Sequence, residues 1–330
     1  MKICFVGNLS STFIKRDYEI LKKHFEIDLI QPPNNKKAWI KYPSIVKDKV
    51  KKCDVVFGWF AGWHTAFPVH YSKKYGKPSV IVVGGYDAAY VPEINYGAFT
   101  NIKEKIPAKY IYNHADKILV VDPSLKEDII RNAKVNGNNI DYLPTGYDTE
   151  YWKPKGKKEK LVLTVASAKN LMRIKLKGLD IFVKTAGHLP NIKFILIGVE
   201  GEAKNYLENI TPKNVETIGF LPQVSILPYY QKAKVYCQLS LREGLPNTLC
   251  EAMACECIPV GSNIPGIRRA IGNTGFCVPY GDEKATAEAI KKALDASEDL
   301  GKKARDRIKR MFPLEKREKE LIRIIWNLVK

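Results

Sequence analysis

Short runs that are apolar at nearly every position recur along the chain. Ile3 to Val6, Asp54 to Phe57, Ser79 to Val83 and Lys117 to Val121 come first; Leu161 to Val165, Phe194 to Gly198, Val235 to Leu239 and Ile258 to Val260 follow. Runs without alternation suit parallel strands buried on both faces. Between them the spacing turns helical. Phe13, Ile14, Tyr18, Leu21 and Phe25 share one face of a first helix, and Ala285, Ala289, Ile290, Ala293 and Leu294 one face of a later one from Asp282 to Ala296. The strand-helix rhythm restarts after the polar stretch Lys153 to Lys160 without any detailed sequence repeat. This predicts an α/β chain of two doubly wound domains, residues 1–152 and 153–312, followed by a closing helix in 313–330 that carries Leu321, Ile324, Ile325 and Leu328.

Composition sharpens this. A chain of 330 residues with 45% apolar and 27% charged residues is globular and long enough for two cores. No apolar run reaches the roughly 18 residues a membrane span needs, and Lys2 to Val6 begins as a strand with no leader before it, so a cytoplasmic location is expected. Seven cysteines, an odd number scattered through strands and helices, read as buried thiols. Cys255 and Cys257 lack the second ligand pair of a zinc site.

The net charge of +19 suits nucleic acid, an anionic membrane or an anionic substrate. No helix-turn-helix, zinc-finger or RNP-type pattern accompanies it, which argues against nucleic acid. Lys36 to Lys52 sets Trp39, Ile40, Tyr42, Ile45 and Val46 among lysines, a candidate peripheral contact with an anionic membrane, although Pro43 interrupts the pattern.

The chemistry concentrates between Ser240 and Ser262. Gly244-Leu245-Pro246-Asn247 turns the chain after a strand, and Thr248 with Glu251 reads as a capping pair that starts a helix. Unpaired amides and the dipole at such a start hold an anion. Glu243 and Glu251 flank it and accept hydrogen bonds from hydroxyls. Hydroxyls beside a phosphate describe a sugar nucleotide. A loop of cations between Ser167 and Gly178, with Arg173 and Lys177 the preferred pair, suits a leaving diphosphate. In the first domain, Gly7-Asn8 follows a strand, His64 lies in an aromatic loop, and Tyr86-Asp87 follows Gly84-Gly85.

Glu243, seven intervening residues, Glu251, Ala252-Met253-Ala254 and the strand Ile258-Pro259-Val260 resemble the signature of retaining glycosyltransferases with the GT-B fold, family 4. The resemblance implies two Rossmann-like domains facing across a cleft. It implies transfer of a sugar from a nucleoside diphosphate sugar, the co-substrate, to a hydroxyl of a glycan or lipid-linked acceptor, with no metal and no further cofactor; no Asp-X-Asp motif is present. Glu243, Arg173, Lys177 and Asp87 become the catalytic candidates. The donor side takes Gly7, Gly244, Leu245, Pro246, Asn247, Thr248, Leu249 and Glu251, with Gly219, Phe220 and Leu221 resembling the loop around the nucleotide base. Asn8, His64 and Tyr86 are left for the acceptor side.

Three departures stand out. Glu256 occupies the helix exit where the group usually has Gly, which predicts a differently shaped exit, since a left-handed non-Gly residue costs roughly 1 kcal/mol. Gly84 stands where the group has a histidine, and Arg173 precedes Lys177 by four residues instead of preceding it by five. The alternatives are a sugar-nucleotide epimerase of the same fold and a non-catalytic nucleic-acid binder.

Overall fold

The structure, a computed structural model, describes residues 1–329. It contains two compact units, one of Met1–Gly146 with the closing segment from Glu315, the other of Tyr147–Leu314.

The first unit holds β1 (Lys2–Val6), β2 (Glu26–Ile30), β3 (Val55–Trp59), β4 (Ser79–Val83), β5 (Lys117–Val120) and β6 (Ile140–Tyr142), all parallel in the order β2-β1-β3-β4-β5-β6. β3 and β4 are buried at every position, as their unbroken apolar runs require. After β2 the chain crosses to the other side of β1, so the ends of β1 and β3 diverge into a crevice of the kind that binds ligands in doubly wound sheets.

Pro43 does not break its helix. Lys36–Lys51 runs through it with Tyr42, Val46 and Val50 buried. Asn35 caps the helix, its Oδ1 accepting from Ala38 N at 2.9 Å, and the cap with the buried stripe offsets the one hydrogen bond proline removes.

The closing helix Leu314–Val329 is tied to the first unit through Arg317. Its guanidinium grips Asp17 at two points, Nε to Oδ1 and Nη2 to Oδ2, both 2.6 Å, and Nη1 reaches the carbonyls of Leu143 and Pro144. Both side chains are 1% exposed.

The second unit holds β7 (Glu159–Ala168), β8 (Lys193–Val199), β9 (Val215–Ile218), β10 (Ala233–Gln238), β11 (Ile258–Ser262) and β12 (Phe276–Val278), parallel in the order β12-β11-β10-β7-β8-β9. Its crevice lies between β7 and β10. The boundary falls at Gly146, earlier than the expected residue 152. Trp152 is buried against Tyr230, Tyr147 N donates to Phe312 O at 2.9 Å, and Arg305 donates to the carbonyls of Thr149 and Trp152 at 2.7 Å each. These bonds hold 147–152 to the second core. All seven cysteines are free thiols, and all but Cys277 are buried.

Candidate functional site

The second unit's crevice is assembled by a close fit between two strand ends. Gly178 ends the helix Leu171–Lys177 in the left-handed region, φ 61°, and a Cβ there would lie 2.0 Å from the Leu239 carbonyl oxygen. Leu241 N donates to Leu176 O at 2.9 Å. The helix is thereby locked against the end of β10, and Lys177 Nζ lies 2.5 Å from Glu243 Oε1.

That carboxylate oxygen is the centre of a polar network. It also accepts from Ser240 Oγ at 2.8 Å and Gln238 Nε2 at 3.1 Å, while Gln238 Oε1 accepts from Thr248 Oγ1 at 3.2 Å and Tyr236 OH at 3.3 Å. Gln238 and Ser240 are buried; the side chains of Lys177 and Glu243 keep 19% and 13% of their surface open. Among the other cations of this loop, Lys169 pairs with Glu200 and Lys175 with Asp180. Arg173 sits one turn before Lys177 on the same helix face.

The helix Asn247–Ala254 starts two residues earlier than the expected Thr248 cap implies. Pro246 is its cap residue and no side chain caps it. Thr248 therefore lies inside the first turn, where it cannot cap, and it bonds to Gln238; Glu251 Oε1 accepts from Gln223 Nε2 at 2.8 Å. The first intrahelical bond is Cys250 N to Pro246 O, so the amides of Asn247, Thr248 and Leu249 precede the helix ladder and form its anion-attracting end. Asn247 is positioned by Tyr147, whose OH donates to Oδ1 at 2.9 Å. Gly266 lets a second backbone press on this loop, since a Cβ there would lie 1.6 Å from Gly244 O. Gly244, Leu245, Pro246 and Leu249 are buried.

At the helix exit Glu256 has φ 66°, and Cys257 N bonds to Ala252 O at 3.0 Å. The exit keeps the left-handed turn that glycine would make, contrary to the expectation of a different shape. Gly219 and Phe220 are exposed and Leu221 partly so, between β9 and the helix Gln223–Lys232. The Gln223–Glu251 bond sets this loop beside the second acid.

In the first unit the polar candidates turn inward. Asp87 is 2% exposed; its oxygens accept from Ala61 N at 2.9 Å and Gly85 N at 3.0 Å, clamping the loops after β3 and β4. Burial pushes its carboxyl up to about 6 against the pull of these amides. It is a positioning residue, not a group presented to substrate. His64 Nε2 lies 2.9 Å from Trp59 O, which can only accept, so that nitrogen carries the proton; burial lowers the ring's pKa and the site is its own loop, not an acceptor. The amide of Gly7 donates to Ile30 O at 3.1 Å, which removes it as a ligand donor. Asn8 is exposed, its Oδ1 accepting from Ser10 N. Tyr86 OH donates to Glu104 Oε2 at 2.5 Å, and burial with this carboxylate raises its pKa.

Sequence reasoning missed Gln223, Gln238 and Ser240. For the last two the signal was present, as polar residues at the carboxyl end of the otherwise apolar β10.

The family model described as Glycosyl transferases group 1 matches residues 159–296. The alpha-galactosylglucosyldiacylglycerol synthase of Streptococcus pneumoniae is 28% identical over 163 residues, 44% of this chain and 43% of that protein. The trehalose synthase of Thermococcus litoralis is 25% identical over 221 residues, 61% and 51% of the two. The chain thus aligns with about half the length of these curated relatives. Among solved structures, the sucrose-phosphate synthase of Thermosynechococcus elongatus superposes with a TM-score of 0.82 at 15% identity over 99% of both chains. HepE of Anabaena, in complex with UDP-glucose, superposes with a TM-score of 0.80 at 13% identity over 99% of this chain and 100% of its own.

Proposed function

We propose that this chain, which folds as two α/β units of the GT-B type and matches the glycosyl transferases group 1 over residues 159–296, transfers a sugar from a nucleoside diphosphate sugar to an acceptor hydroxyl with retention at the anomeric carbon. The observation that carries the reading is the Lys177–Glu243 pair beside the free start of the helix Asn247–Ala254. In this mechanism the amides of Asn247, Thr248 and Leu249 take a phosphate, and Lys177 with Arg173 neutralises the charge that grows on the diphosphate as the sugar bond breaks. Glu243 exchanges its ammonium partner for a sugar hydroxyl. Glu251 exchanges Gln223 for the ribose hydroxyls, and the backbone of 219–221 meets the base. Positive charge from these groups serves without a metal.

The relative named for synthesis of a glycosylated diacylglycerol favours a lipid-linked acceptor. The first unit supports contact with an anionic membrane, because Ile40, Ile102 and Ile106 are 80%, 65% and 53% exposed among Lys36, Lys37, Lys41 and Lys103. The half-exposed Trp63 bonds to the Lys103 carbonyl and so belongs to the same patch.

Thermal unfolding with UDP-glucose, UDP-galactose, ADP-glucose and GDP-mannose tests the donor reading. A bound donor raises the midpoint by mass action, and no shift with any of the four sinks it. Cosedimentation with vesicles containing anionic phospholipid tests the membrane contact.

A further inference from the structure

Phe60, the residue after β3, is held at φ 68°, a conformation that bulky side chains adopt only where their surroundings impose it. Here the backbone is fixed on every side. Its N–H donates to Val82 O at 2.8 Å, its carbonyl accepts from Thr65 Oγ1 at 2.5 Å, and the next amide, Ala61 N, is held by Asp87. This strain aims the ring across Gly84, where a Cβ would lie 2.4 Å from Phe60 Cε1. Phe13 and Trp59 support the ring with centroids 6.0 and 5.8 Å away, and both Phe13 and Phe60 stay partly exposed.

The location gives the strain a use. Phe60 stands at the carboxyl end of β3 beside β1, at the switch point of the first sheet, where ligands of doubly wound folds bind. The polar groups nearby, Asp87 and His64, are turned into the protein. What faces a ligand there, beside the exposed Asn8, is an aromatic wall. A pyranose has a face of C–H groups that packs on such a ring, and the ring's hydrogen-bonding neutrality leaves the sugar's hydroxyls free to react.

We propose that Phe60 is the stacking platform for the sugar ring of the acceptor and that Asp87 acts through it, as the clamp that keeps its backbone left-handed. The proposal rests on the glycosyltransferase reading and adds a carbohydrate acceptor with an accessible apolar face.

Saturation-transfer NMR with methyl α-D-glucopyranoside and methyl α-D-galactopyranoside, in the presence of UDP, tests it. Wild type and Phe60→Tyr are expected to pass saturation to the ring C–H protons of at least one glycoside. Phe60→Asn, which tolerates the left-handed backbone but lacks the ring, is expected to weaken binding about tenfold. Unchanged transfer in the Asn variant, or no glycoside bound while UDP-glucose still stabilises the chain, overturns the platform. Failure of UDP-glucose and the other donors to stabilise the wild type instead overturns the glycosyltransferase reading, and the platform with it.

Discussion

Lys177 Nζ and Glu243 Oε1 lie 2.5 Å apart although 66 residues separate them, because the turn at Gly178 is fitted onto the last residues of β10. An ammonium already desolvated against a carboxylate has lost much of its freedom before a ligand arrives. A diphosphate entering beside it competes with one carboxylate instead of with bulk water, which is how a preorganised cation stabilises charge at small reorganisation cost. Ser240 and Gln238 hold the carboxylate in place through the exchange.

Glu243→Gln keeps the shape but removes the charge that balances Lys177. Transfer from the donor that stabilises the wild type is expected to fall by about two to three orders of magnitude, with affinity for its nucleoside diphosphate changed by less than about tenfold. Lys177→Ala is expected to weaken both, because the lysine binds the diphosphate in the ground state as well. Calorimetric titration of that nucleoside diphosphate beside steady-state turnover separates the two patterns. Full turnover in both variants removes the pair from the mechanism.

Asp87 links the first unit's stability to pH. Its folded carboxyl is raised from the unfolded 3.8 to about 6. A raised acid gives its stabilisation fully below the unfolded value and loses it as pH rises through about 6. Asp87→Asn has no such titration. The stability of wild type minus that of the variant is therefore expected to increase by roughly 2–3 kcal/mol as pH falls from 7 to 4. Denaturant melts of both proteins across that range measure it, and a gap that is flat or shrinks on acidification contradicts the clamp.

Strand identity was legible wherever burial on both faces wrote an unbroken apolar run, as in β3 and β4. The edge strand β2 was not, because Glu26 and Asp28 break its pattern where one side faces solvent. The turn between Glu243 and Glu251 was legible because Gly244, Pro246 and Asn247 punctuate the chain between a buried strand and a helix. Partners brought from elsewhere were not. Gln223 is 28 residues from the acid it bonds, and nothing local marks it. Asp87 and His64 looked functional for their chemistry, but burial against backbone groups, which residue type alone does not reveal, assigned them to loop structure.

The Asp17–Arg317 pair carries the next expectation. Arg317 is fully engaged by Asp17 and two carbonyls, and Trp59 Nε1 donates to the same aspartate at 2.9 Å. Removing one member leaves a buried charge without its partner. Asp17→Ala is expected to destabilise the protein by about 3–5 kcal/mol, more than the double variant Asp17→Leu with Arg317→Met, which replaces both charges by apolar groups. Urea melts of the three proteins decide this; a single variant as stable as the double one shows that the pair is not what fastens the closing helix.

Glu256 offers a substitution that separates stability from activity. Its φ of 66° is set by the turn that ends the helix Asn247–Ala254, and helix Glu298–Met311 covers that turn so closely that a Cβ at Gly301 would lie 2.5 Å from the Glu256 carbonyl oxygen. The backbone cannot relax, so the glutamate bears a strain that glycine would not. Glu256→Gly is expected to stabilise the protein by roughly 0.5 kcal/mol, the strain relieved being partly offset by the greater entropy of glycine in the unfolded chain, and to raise the unfolding midpoint by about 1–2 °C. Glu256→Ala keeps the Cβ and is expected to change little. The exit lies at the far end of the helix from Asn247, so turnover should match wild type in both. Differential scanning calorimetry ranks the three: if the alanine variant gains as much as the glycine variant, the side chain and not the left-handed backbone is responsible, and the conformational account of this exit is wrong.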